Sequence, residues 1–152
     1  MAHDKLTVEL AARDIERYAD KLGELIQPLS QTQLWYKDEG MPNAVGTLVR
    51  HLTGNLNHYF GAGFLANGYA RDREREFTET GLTVAQLQAE LAAAVVVMRA
   101  GIASIDPAQV MQPYTAPGGE QYDLLAYHVV RLATHFVFHV GQVDYAVNRL
   151  RG

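Results

Sequence analysis

Residues 121–150 read QYDLLAYHVVRLATHFVFHVGQVDYAVNRL, with no proline and a single glycine, Gly141. Steps of three and four residues return to one side of an α-helix. Taken that way, one stripe collects Leu124, His128, Leu132, His135, His139, Gln142 and Ala146. A plain bundle helix carries leucine or isoleucine on its inward stripe. Here three histidines take those places. The segment predicts a helix from about Gln121 to Leu150 that turns imidazoles towards a packed core.

Three more periodic segments precede it, separated by clusters of glycine and proline. From about Asp4 to Gln27, Ala11, Ile15, Tyr18, Leu22, Leu25 and Leu29 form one stripe, and Pro28 ends or bends the helix. A linker with the only tryptophan, Trp35, leads through Gly40-Met41-Pro42 to a second helix. That helix is predicted to open on Asn43 as N-cap and to run to about Leu65, with Val45, Leu48, Leu52, Leu56, Tyr59 and Phe60 as its apolar line. After Asn67-Gly68 the charges alternate from Arg71 to Glu76. This stretch is too polar for a core and reads as a solvated loop. If extended, it sets three arginines on one edge, where an anionic substrate or a second subunit would fit. Thr83 and Gln86 form a capping box for the third helix. Its face is Val84, Leu87, Leu91, Ala94, Met98, Ile102 and Ile105, and Asp106-Pro107 stops it. The expected fold is all-α, a four-helix bundle formed by one domain over residues 1–152. The connections are long enough for a long crossover, and spacing alone leaves the order of up and down open.

Composition removes several function classes. The 152 residues are 48% hydrophobic and 20% charged, which suits one globular domain. Thirteen Lys and Arg against 17 Asp and Glu leave a net charge of −4, the wrong sign for a nucleic-acid partner. The longest apolar run, Leu91 to Met98, is too short to cross a bilayer, and the first ten residues show no secretory pattern. No membrane partner is expected, and a cytoplasmic location is. There is no cysteine, so disulfides, thiolate nucleophiles and sulfur-ligated metals are excluded. Any metal must be held by nitrogen or oxygen, and any thiol must come with a substrate.

The second helix repeats the anomaly of the last one, with Ala44, Leu48, His51, Asn55, His58 and Ala62 on one stripe. Five of the six histidines therefore lie on two core-adjacent stripes, and only His3 lies elsewhere. His135 and His139 stand one turn apart, a spacing that lets two imidazoles converge on one divalent ion. The glutamate of the metalloprotease helix motif is absent, since Phe136 follows His135. A third imidazole from a facing helix would complete a site with an open position for water or substrate. His51 and His58 both qualify, and periodicity does not choose between them. The plain alternative is that these histidines are hydrogen-bonded to backbone or water at the core edge.

His51-Leu52-Thr53-Gly54-Asn55 resembles the first metal motif of the DinB/YfiT-like superfamily, and residues 135–142, HFVFHVGQ, resemble its second. Arg71 to Phe77 is similar to one uncharacterised branch, and the resemblance spans essentially the whole chain. It implies an up-down-down-up bundle and a metal triad of His51, His135 and His139. Nickel or zinc is the implied ion, with iron or manganese as further candidates. Some members are transferases or isomerases that use a low-molecular-weight thiol. The implied function is thus a metal-dependent enzyme that activates a small thiol or water, transferase-like or hydrolase-like. The alternative is a non-catalytic metal-binding or interaction protein. Antiparallel second and fourth helices, as the resemblance implies, set His58 level with His128, each about 10 Å along the axis from the triad. These two are candidates for a second polar layer that binds substrate, moves a proton or makes a simple hydrogen bond. Asn55 and Gln142, one turn after His51 and His139, are candidates to orient an imidazole or a bound water. A homodimer is expected on general grounds only, without assignable residues.

Overall fold

Apolar periodicity becomes helix over most of the chain. The computed structural model describes residues 5–152, so His3 and the predicted helix start at Asp4 lie outside the described residues. Helix α1 (Leu6–Ile26) buries Val8, Ile15, Ala19, Leu22 and Ile26. Tyr18 and Leu25, placed on its central stripe by the spacing, lie half-buried at its margin. The single-turn α2 (Gln31–Leu34), which the periodicity did not reveal, is closed by a capping box between Ser30 and Gln33. The linker after it is tied down at two points. The Trp35 indole N–H donates to the Leu82 carbonyl at 3.0 Å, and Arg149 forks onto Asp38 at 3.0 and 2.9 Å.

Helix α3 (Val45–Leu56) starts from Ala44, one residue beyond the predicted Asn43 cap and with no side-chain oxygen closing its first turn. From Asn57 to Phe64 it continues as a π-helix, not as the α-helix expected to Leu65. The wider turn presses its backbone towards the next long helix at a glycine. A Cβ on Gly101 would meet the Phe60 Cβ at 3.0 Å and its carbonyl oxygen at 3.1 Å. Only glycine lets the two backbones approach this closely.

The alternating-charge stretch stays a loop only at Arg71 and Asp72 and is helical from Arg73. It folds as α4 (Arg73–Thr78), with the Asp72 side chain accepting from the Arg75 N–H at 3.0 Å. Helix α5 (Val84–Ser104) begins at the predicted Thr83–Gln86 capping box and buries Leu87, Leu91, Ala94, Met98 and Ile102. Among the described residues α5 is the one helix long and apolar enough to cross a membrane, although its continuous apolar run is short. Here that buried face packs into the core shared with α1 and α3.

Strands β1 (Tyr114–Thr115) and β2 (Gln121–Tyr122) pair antiparallel, with Tyr114 opposite Tyr122. Gly118 and Gly119 turn the chain between them at φ +95° and +92°, which glycine adopts without steric cost. The hairpin takes the residues expected to open the last helix, so α6 (Leu125–Arg151) starts later than Gln121. Its deepest residues are His128, Val129, Phe136, Val140, Val143 and Val147. Along the predicted stripe His128, Leu132 and Ala146 are buried, His135 and His139 are half-buried, and Gln142 is exposed. The architecture is mostly helical, with one small hairpin.

Cross-contacts give the directions of neighbouring helices. Lys5 donates to Ala103 at 3.0 Å, and Gln88 donates to Gly23 at 3.0 Å, so α1 and α5 run antiparallel. Lys21 pairs with Asp144 at 3.2 Å near the far ends of α1 and α6, which run the same way. α3 lies against α4, α5 and α6, and it meets α6 through histidines.

Candidate metal centre

His51 projects from the buried face of α3, and His135 and His139 project from one margin of α6. The three rings meet point to point. His135 Nε2 lies 3.2 Å from His51 Nε2 and 3.2 Å from His139 Nε2. One ligand atom from each residue falls within 4.8 Å of the others. The ring planes stand at 71°, 83° and 81° to one another, so edges and not faces converge. Of the two α3 candidates, the structure brings His51 to the pair on α6 and leaves His58 outside the cluster.

The outer nitrogens explain which atoms point inward. His51 Nδ1–H donates to Glu76 Oε1 at 3.2 Å, and His139 Nδ1–H donates to Gln142 Oε1 at 2.6 Å. A proton fixed on Nδ1 leaves the Nε2 lone pair facing the cluster. Lone pairs packed this closely repel unless a proton or a cation sits between them. A divalent ion about 2.0–2.1 Å from each of two imidazole nitrogens separates those nitrogens by roughly 3.3 Å in tetrahedral geometry. The donor set fits such an ion. Burial first, and then the neighbouring charges of His139, His51, Arg71 and Arg73, hold His135 down to about 4. Burial likewise lowers His139. Both are neutral at neutral pH, which is the ligating form.

Behind His51 stands a buried ion pair that the sequence reading missed. Arg71 donates Nε–H to Glu76 Oε2 at 2.8 Å and Nη2–H to Glu76 Oε1 at 2.9 Å. Burial pushes the Glu76 carboxyl up, but the hydrogen bonds from His51 and Arg71 and the Arg71 charge outweigh it, so its proton affinity falls below the usual range. The residue is a carboxylate aimed at a histidine. Gly54, one turn after His51, makes this approach feasible, because a Cβ there would collide with the Glu76 carboxylate. A glycine at that spacing on a fully buried helix face was the available signal. Carboxylates in this position raise the basicity of a ligating imidazole. Glu76→Ala is expected to weaken divalent-ion binding by about 10- to 100-fold in chelator competition. Unchanged affinity would show that Glu76 does not orient the ligand.

A family model described as "Protein of unknown function (DUF1572)" matches residues 4–152. The chain belongs to the DUF1572 family. No curated protein matches it. In this DUF1572 protein the match spans both histidine motifs and the charged segment that supplies Arg71 and Glu76.

The remaining candidates of the DUF1572 chain separate. His128 is fully buried among aromatic rings, with centroids of Tyr122, Tyr114 and Tyr59 at 4.5, 5.1 and 5.3 Å. Neither of its ring nitrogens has a hydrogen-bond partner, and His58 Nδ1 has none either. The expected polar layer of His58 and His128 is thus not formed by a hydrogen bond between them. The helix widens at Asn57, where the 3.6-residue extrapolation from His51 ends, and the hairpin tyrosines fill the space beside His128. Gln142 meets His139, as its spacing suggested. Asn55 is buried but leaves Oδ1 unpartnered, and it lines a pocket of about 180 Å³ onto which His51 and His135 open.

Proposed function

We propose that this DUF1572 protein is a divalent-metal-binding four-helix bundle of the DinB/YfiT-like kind, and that it acts as a metal-dependent enzyme on a small thiol or on water. The observation that carries this reading is the convergence of three imidazole Nε2 atoms from α3 and α6, two of them with the outer nitrogen already engaged. His51, His135 and His139 would hold the ion, for which nickel or zinc suits an all-imidazole set. A bound divalent ion supplies Lewis acidity and lowers the pKa of the group in its open position.

The chain's own residues do the rest. Glu76 and Gln142 fix the tautomers of His51 and His139, and Arg71 keeps Glu76 ionised. Phe77 packs against the His51 ring at 5.1 Å and shields it from one side. The pocket at His51 and His135 admits a small molecule. Because the chain has no cysteine, a reacting thiol arrives with the substrate. The antiparallel contacts of α1 with α5, and the parallel ones of α1 with α6, support an up-down-down-up order. A cytoplasmic setting accompanies this reading.

The test is a panel of small thiols and esters offered to nickel- or zinc-loaded protein. Turnover is expected to vanish on chelation and to return when the ion is restored. Metal-dependent melting without turnover on any substrate would favour a non-catalytic metal-binding protein instead. Melting indifferent to chelator would contradict both.

A further inference from the structure

Beside the stripe of α3 that carries His51 runs a second polar one, formed by Arg50, Thr53, Gly54 and Asn57 at steps of three and four residues. Together with α4, α5 and residues 69–70 it lines a separate pocket of about 360 Å³ that contains no histidine. Gly54 and Ala93 take up little of its space. Two polar atoms on the α3 wall are buried without a partner among the described residues. Thr53 is 7% exposed and its Oγ1 has no hydrogen bond. The Arg50 side chain is 13% exposed; it pairs with Glu79 through Nη1 at 2.8 Å, but its Nε–H donates to nothing. Each such group bears the cost of its lost hydration until a ligand meets it.

The charges around the pocket are arranged in two parts. Arg50 and Arg75 share the single carboxylate of Glu79, and Arg71 is matched by Glu76. Two guanidinium groups on one acid leave positive charge in surplus beside Thr53. Asp72 and Glu90 form no ion pair among the described residues. Asp72 Oδ1 is engaged by the Arg75 N–H, whereas the Glu90 carboxylate, reaching the pocket from α5, accepts no hydrogen bond among these residues. A plain anion would satisfy the donors of α3 and leave Glu90 unmatched. A plain amine would do the reverse. A molecule that carries a carboxylate and an ammonium close together meets both.

We propose that this pocket binds a free α-amino acid, its carboxylate held by the Arg50 Nε–H and the Thr53 hydroxyl and its ammonium by Glu90. The site needs no metal at the histidine cluster and goes beyond the reading of that cluster.

Thermal unfolding of the chelator-treated full chain, with each of the twenty standard amino acids in turn at about 10 mM, tests the proposal. At least one is expected to raise Tm by about 3 °C or more, the shift given by a ligand some tenfold above its Kd. The methyl ester of that amino acid loses the carboxylate charge, and its N-acetyl derivative loses the ammonium. Both are expected to give less than half the shift. Thr53→Val removes the hydroxyl at nearly constant shape, and Glu90→Gln removes the carboxylate at an exposed position where folding does not depend on it. Each variant is expected to lose the shift while its unliganded helical signal stays at the wild-type level; Glu90→Gln alone decides the matter if Thr53→Val does not fold. No shift with any amino acid overturns the proposal. So does a shift that survives in a folded variant, or one that either derivative reproduces in full. All three leave the reading of the histidine cluster standing.

Discussion

Replacing His135 with alanine is expected to weaken nickel or zinc binding by roughly a hundredfold or more, while the helical signal stays unchanged. His135 Nε2 is the central atom of the cluster, with 3.2 Å contacts to both other imidazoles. Its removal breaks both contacts and leaves one ligand on each helix. Binding free energies of about 10–16 kcal/mol for four-ligand zinc sites put each ligand at roughly 3 kcal/mol, which is the basis of the figure. His58→Ala is the matched control. That residue shares the α3 stripe in sequence but stands outside the cluster, so its loss is expected to leave the affinity unchanged. Competition with a chelating dye measures both. Wild-type affinity in His135→Ala would remove the triad from the account.

His128→Leu is expected to stabilise the protein, most strongly in mild acid. Both ring nitrogens of His128 are buried without a partner, and an unsatisfied buried polar group costs about 1–3 kcal/mol. Leucine is of similar volume and asks for no hydrogen bond. Burial holds His128 down to about 4, from an ordinary value of 6.5. Between those two values the unfolded chain takes up a proton that the folded one refuses, so this group makes stability fall as pH drops from about 6.5 to about 4. Below that range it adds no further slope. The size of the effect is on the order of 3 kcal/mol. In His128→Leu this part of the acid destabilisation is expected to disappear, while the part due to His135 remains. Urea unfolding at pH 7 and pH 4.5 reads both effects. Marked destabilisation at both pH values would mean that His128 has a polar partner or a packing role that leucine does not meet.

Legibility in the sequence followed the physics of each element. The start of α5 was readable because a capping box is a local device of two side chains three residues apart. The face of α5 was readable because its repeat stays at 3.6 residues throughout. The pairing of His135 with His139 was equally local. The choice of His51 over His58 was not, since it depends on how α3 meets α6, and the family motif supplied it. Three features stayed hidden for separate reasons. The π-helix from Asn57 meets Gly101, far away in the chain, at Phe60, and no local pattern announces it. Glu76 looked like one sign in a solvated run, because its burial depends on two distant partners, Arg71 satisfying its charge and Gly54 vacating its space. Gln121 and Tyr122 have no strand pattern of their own and become a strand only because Gly118 and Gly119 fold them back onto Tyr114 and Thr115. The stripe expected to face inward is uneven in depth: His128 is fully buried, whereas His135 and His139 are half-buried, and the pocket reaches His135.

The central claim is that imidazoles from α3 and α6 share one divalent ion. X-ray absorption at the zinc edge of zinc-loaded protein, purified without an affinity tag, counts those imidazoles directly. The account predicts one zinc per chain with three imidazole nitrogens at about 2.0–2.1 Å. A spectrum of oxygen ligands alone, or a chain that retains no zinc after buffer exchange, would contradict it.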